Sequence, residues 1–161
     1  MRWLAALILA LLPLGAAAQI TNVQGADAQM NAAIADARQT LPFFWNRLVE
    51  PGPGESGFMV KVSVPVTHPS VVRELIWAHP ISGTPDLFDA ELANTPRHFE
   101  GLAFETVISV TDDQIVDWIY FQDGRVAGGY TQRLLDARLP VAERAYQDAD
   151  YVPLPDPATD Q

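Results

Sequence analysis

The chain has 161 residues, no cysteine and a formal net charge of −10. That length suits one domain that buries a core without disulfide staples, so packing alone must hold it together. So acidic a chain is repelled by nucleic acid and by anionic membrane surfaces, which sets both aside as partners.

At the N-terminus Arg2 precedes an apolar run from Leu4 to Leu14, and Gly15-Ala16-Ala17-Ala18 then gives way to Gln19. A charged start, an apolar stretch and small residues form the pattern of a secretory signal peptide, with the cut before Gln19. The run is shorter than the about 20 residues that a membrane-spanning helix takes. No cysteine follows it to carry a lipid, and no later stretch reads as a span. Removing 18 of the 161 residues, Arg2 among them, leaves 143 at a net −11. The expected destination is the periplasm or the outside of the cell.

Residues 19–26 are small and polar and read as a flexible lead, after which Asp27 is placed to cap a helix. Met30, Ile34, Ala37 and Leu41 form one apolar helical stripe. Thr40 and Pro42 predict a restart into a second, aromatic piece with Phe43, Phe44, Trp45 and Leu48, ended by Pro51-Gly52-Pro53-Gly54. From Gly57 the period becomes two. Phe58, Val60, Val62 and Val64 face one way and Met59, Lys61 and Ser63 the other, the pattern of a half-buried strand. Further strands are expected over 71–77, 87–92, 104–110, 115–121 and 125–127, with a turn at 67–70, a loop at 82–86 and a hairpin signal at Asp123-Gly124. Gly128-Gly129 allows a bend, Thr131 is placed to cap a last helix over 132–138, and a short helix is expected over 141–147. The Pro- and Asp-bearing tail, 148–161, reads as disordered. Strands bracketed by helices without β-α-β alternation predict an α+β fold. It would have an N-terminal helix on a strongly bent antiparallel sheet of five to six strands, and a C-terminal helix, in a single domain over 27–147.

Several segments in order carry a resemblance. They are Ala37 to Pro42, Gly54-Glu55 with Gly57 to Val62, Glu74-Leu75-Ile76-Trp77, Leu92 to Pro96, Ile115 to Tyr120, Asp123-Gly124-Arg125 and Gly128 to Arg133. Together they resemble the bacterial family known as domain of unknown function 2314, over roughly residues 30 to 138. The resemblance implies a fold and a habit of export, and no reaction. That family often carries a histidine directly after the acidic residue of the Glu-x-x-Trp element. Here Leu75 stands there, so chemistry resting on that histidine is missing.

The residues that carry chemistry are few. His68, His79 and His98, with Glu74, Glu100 and Asp117, offer donors for a metal, but no two histidines share a ligand spacing, and solvent-facing loop histidines account for them. No metal and no cofactor is expected. No serine lies in a nucleophile elbow, and Asp112, Asp113 and Asp117 read as turn and cap residues before they read as a carboxylate pair. Asp117 is placed to pair with Arg125 or Arg133, pinning the hairpin to the last helix. The alternative use of this region is recognition, with Trp77, Asn94, Trp118, Tyr120 and Arg133 as binding anchors, since Trp, Tyr and Arg dominate hot spots.

The reading is a non-enzymatic module that binds an unidentified protein or small ligand outside the cytoplasm. One alternative is a periplasmic hydrolase using His79 or His98 with a carboxylate, with Asp117 as a further catalytic candidate. Another is an inhibitor or immunity-type protein whose acidity mimics a substrate.

Overall fold

The computed structural model describes residues 17–67, 72–98 and 101–155, with side chains from residue 28 onward. The expected cleavage segment lies mostly outside the described residues, as does His68. Helices α1 (Ala17–Gln39) and α2 (Leu41–Val49) come first. Strands β1 (Glu55–Pro65), β2 (Arg73–Thr84), β3 (Leu87–Leu92), β4 (Val107–Thr111), β5 (Ile115–Gln122) and β6 (Arg125–Gly128) follow, then α3 (Tyr130–Arg138). The strands form one antiparallel sheet in the order β4-β3-β2-β1-β5-β6, as the α+β expectation requires. Among the described residues no helix is long and apolar enough to cross a membrane.

Helix α1 starts ahead of expectation. Residues 19–26 belong to it, and Asp27 lies within its span instead of at its start. No proline interrupts the segment, and its one glycine, Gly25, costs a helix about 1 kcal/mol. At the break between the helices the Thr40 hydroxyl turns back to the Asp36 and Ala37 carbonyls, at 3.2 and 3.1 Å, and does not cap α2. Pro42 has no N–H to satisfy in the first turn of α2, so the restart is tolerated.

One face of the sheet receives the helices. Val60, Val62, Ile76, Ala78, Ala90, Leu92 and Trp118 are fully buried there with Phe44, and Tyr120 is nearly so. Burying each large apolar side chain contributes about 1.5–3 kcal/mol. The indole N–H of Trp118 donates to the Ala37 carbonyl at 3.0 Å and to the Thr40 hydroxyl at 3.1 Å, fixing the helix break over the sheet.

The other face departs from simple alternation. Lys61 and Ser63 point away from the helices as predicted, yet both are buried. Arg73 lies across Ser63, and residues near the C-terminus cover the rest. The tail is docked as far as it is described: Tyr151 forms a parallel bridge to Val126, and the Val152 N–H donates to the Val126 carbonyl at 2.9 Å. Tyr151 is buried because the edge of β6 offers unpaired main-chain groups and a pocket for its ring. Residues 141–147 form a short 3-10 turn at Val141–Glu143 rather than a longer helix, and a second follows at Asp148–Asp150.

Smaller differences have local causes. Strand β2 runs on to Thr84, so the loop expected over 82–86 shrinks to Pro85-Asp86. Strand β4 starts only at Val107, because Glu105 takes a positive φ of 65° and turns the chain into the ladder. Asp123 and Gly124 both have positive φ, 50° and 78°, as the two-residue hairpin turn requires. Gly128 has φ 72°, and a Cβ on it would overlap the Trp118 carbonyl and indole.

Candidate functional site

Two regions bring together polar and aromatic side chains. The first is a row across the face away from the helices. Lys61 on β1 pairs in register with Trp77 on β2 and with Asp117 on β5, and a bulge follows as Val62 pairs with Ile115. The Lys61 ammonium, on the only lysine of the chain, sits 4.6 Å from the centre of the Trp77 ring. It donates to the Thr131 hydroxyl at 2.8 Å, which in turn donates to Asp117 Oδ2 at 2.5 Å.

Asp117 is wholly buried and accepts three further bonds, from the N–H groups of Trp118, Tyr130 and Thr131 at 2.9, 3.0 and 2.8 Å. It is therefore the cap of α3, supplied from a neighbouring strand. The residue at the N-cap position is Gly129, which has no side chain to offer, and Thr131 is inside the first turn. A carboxylate at a helix N-terminus also meets the positive end of the helix dipole. Burial drives the Asp117 carboxyl above its ordinary value, against the Thr131 hydroxyl and the Lys61 charge. Burial likewise drives the Lys61 ammonium below its ordinary value, against Asp117 and Asp136.

The expected partners of Asp117 are engaged elsewhere. Arg133 donates to the Gly128 and Val152 carbonyls, at 2.8 and 2.6 Å, and lies 4.2 Å over the Tyr151 ring. Arg125 donates to the Ala149 carbonyl at 3.2 Å and to that of Tyr151. Both arginines hold the tail, because its carbonyls lie across the β6 edge. Asp136 completes that dock. Burial raises its carboxyl, but the Tyr151 hydroxyl, the Ala145 and Tyr146 N–H groups and Gln132 outweigh burial and hold it below its ordinary value.

The second region is a groove of about 480 Å³ where the middle of β2 meets the segment after β3. Trp77 is half-buried in its wall, and the Asn94 side chain lies beside it. Asn94 Oδ1 accepts the Trp77 backbone N–H at 2.9 Å. Glu74 accepts the N–H groups of Arg97 and His98 at 2.6 and 2.9 Å, which fixes the turn that presents Arg97. Burial raises the Glu74 carboxyl, but these two N–H groups outweigh it and leave it below its ordinary value.

Of the residues singled out in the sequence, Trp77 and Asn94 therefore meet, and His98 lines the same groove. Trp118 and Tyr120 lie in the core, stacked on each other with ring centres 6.1 Å apart, and take no part in the Trp77 groove. The Tyr120 hydroxyl is pushed up to about 12 by burial and by the Glu55 carboxylate, which Arg47 holds between α2 and β1. Arg133 serves the tail. His79 is half-buried on β2 and donates from Nδ1 to the Phe58 carbonyl at 3.0 Å. Among the described residues no three His, Asp or Glu side chains group as metal ligands. Sequence reasoning missed Lys61, Arg73 and Arg97. A lone lysine inside an alternating strand was the available signal for the first. The arginines gave none, because their place depends on strand register.

No curated protein and no solved structure matches the chain. The family model described as "Uncharacterized protein conserved in bacteria (DUF2314)" matches residues 27–151. With most of its length matched, the chain belongs to that bacterial family, domain of unknown function 2314.

Proposed function

We propose that the protein is an exported, non-enzymatic binding module whose recognition surface is the Trp77 groove. The observation that carries this reading is the restraint on Trp77. Its ring lies on the buried Lys61 ammonium and its backbone is tied to Asn94, while the ring still lines an open groove. A large aromatic held in place loses little entropy on binding, and Trp with Arg at the mouth of a groove is hot-spot chemistry. Export rests on the signal-peptide pattern of residues 1–18. The hydrolase alternative has less support: Asp117 is sealed by its own donors, and His79 is tied to a main-chain carbonyl.

Two measurements test the proposal. Expressed in a bacterium with its own N-terminus, the protein should be recovered from the periplasm or medium with a mass that starts at Gln19. The mature chain should then retain a partner or small molecule from periplasmic extract that Trp77→Ala and Leu75→Asp variants lose with their thermal unfolding nearly unchanged. Leu75 is 52 % exposed, so its variant keeps the fold even where Trp77→Ala loosens it. Identical retention by all three chains, or a chain kept whole in the cytoplasm, overturns the proposal.

A further inference from the structure

The hydrogen-bonding capacity of the Trp77 groove is one-sided. Its amide and carboxylate acceptors already take bonds from the protein itself: Asn94 Oδ1 from the Trp77 N–H, and the two Glu74 oxygens from the Arg97 and His98 N–H groups. Its donors are in surplus. The Asn94 amide keeps its two N–H bonds for the groove. Arg73 uses Nε and Nη2 on Ser63, both at 2.6 Å, which leaves Nη1. The exposed Arg97 guanidinium makes no hydrogen bond or ion pair among the described residues, and it acts on Glu74 only through its field. Beside these donors lie the Trp77 ring and the exposed side chain of Leu75.

Surplus donors next to apolar surface select a ligand rich in acceptors at one end and apolar at the other. Resting on the reading of the groove as the recognition surface, we infer that it takes a carboxylate carried beside a flat or branched apolar group. An arginine fork matches a carboxylate with two parallel bonds, and the charge strengthens each. The net acidity of the chain does not forbid this. At physiological salt, charges beyond about 8 Å are largely screened. The near charges are two arginines and a Glu74 whose oxygens are occupied. A peptide C-terminus and a free aromatic or aliphatic acid share this chemistry.

The test titrates the 15N-labelled mature chain with N-acetylphenylalanine, its neutral amide, 3-phenylpropanoate and a tetrapeptide ending in phenylalanine. The carboxylates should shift the Trp77 indole and Asn94 side-chain amide signals and bind at least about tenfold more tightly than the amide, the scale of one charge-assisted bond. Arg97→Gln should remove that advantage without changing the rest of the spectrum. Tightest binding by the tetrapeptide identifies a chain terminus as the source, and equal binding by 3-phenylpropanoate identifies a free acid; both support the inference. Equal binding of acid and amide at these signals overturns it while leaving the groove a recognition surface. No shift from any probe, with the Trp77-dependent partner still retained from extract, overturns it too.

Discussion

The two faces of the sheet use the same strands in opposite ways. Toward α1 and α2, β1 and β5 present Val60, Val62, Trp118 and Tyr120, which are held by area and shape. One residue along, the same strands present Lys61 and Asp117, equally hidden but held by matched donors and acceptors. Apolar burial is non-directional and falls off gradually with lost area. A buried polar cluster is directional, and the loss of one member leaves the others unsatisfied. Alternation along a strand reports which way a side chain points. Whether it is exposed depends on what arrives later in the chain, here α3 and the docked tail.

Breaking the apolar face should cost most. Trp118→Ala removes the largest fully buried side chain and leaves the Ala37 carbonyl without its indole donor. The expected loss is about 3–5 kcal/mol, read as a lower urea midpoint. A loss under about 1 kcal/mol would mean that the helices close over the gap, and the contrast between the faces would weaken.

The polar face should respond unequally to its two charges. Asp117→Ala leaves the two N–H groups of the α3 start and that of Trp118 unpaired in the interior, and deprives the Lys61 ammonium of a neighbouring negative charge, with an expected cost of about 3–4 kcal/mol. Lys61→Met keeps the stem, removes one hydrogen bond and leaves Asp117 with its four donors, so it should cost only about 1 kcal/mol. Equal costs in urea unfolding would show that the attraction between the two charges, and not the cap, holds this face.

The parts legible in the sequence were those written locally. The Val60-Val62 alternation, the Asp123-Gly124 turn and the Gly128-Gly129 bend each rest on residues adjacent in the chain, and each is found where expected. The facing of Trp118 against Asp117 was legible for the same reason. What was not legible depends on register. Nothing local tells that Lys61 sits opposite both Trp77 and Asp117, or that Asp117 caps a helix that begins thirteen residues later at Tyr130. The start of the tail was not legible either: its prolines and aspartates suggested disorder, while up to residue 155 Tyr151 and Val152, with Arg125 and Arg133 on the nearby carbonyls, lie docked on β6. The groove was half legible, since Trp77 and Asn94 were singled out for their type but Arg73 and Arg97 reach it only through folding.

On the polar side the mildest change is local, at the docked tail. Tyr151→Phe keeps the ring under Arg133 and removes only the hydroxyl that donates to Asp136 at 2.7 Å. The loss should be about 1.5 kcal/mol and confined to the dock, because the bond is to a charged acceptor. The amide of Val152, bonded to the Val126 carbonyl, reads it directly as a hydrogen-exchange protection factor. Acid gives the same test a sign. The Asp136 carboxyl is held below its ordinary value in the fold, so its contribution is complete above about pH 4, the unfolded value, and is lost as pH falls through the folded one. Protection of Val152 should therefore fall on acidification below about pH 4. In Tyr151→Phe one of the opposing donors is gone, the folded value moves back toward the ordinary one, and the pH-dependent part of the protection shrinks. Glu55 and Glu74 are also held low and titrate in the same range, but they tie α2 to β1 and the turn after β3. Their loss should not single out Val152. If Val152 keeps the same protection from pH 6 to pH 3 in both chains, the tail is held by the arginines on its carbonyls and by ring packing, and the Asp136 carboxylate contributes nothing to it.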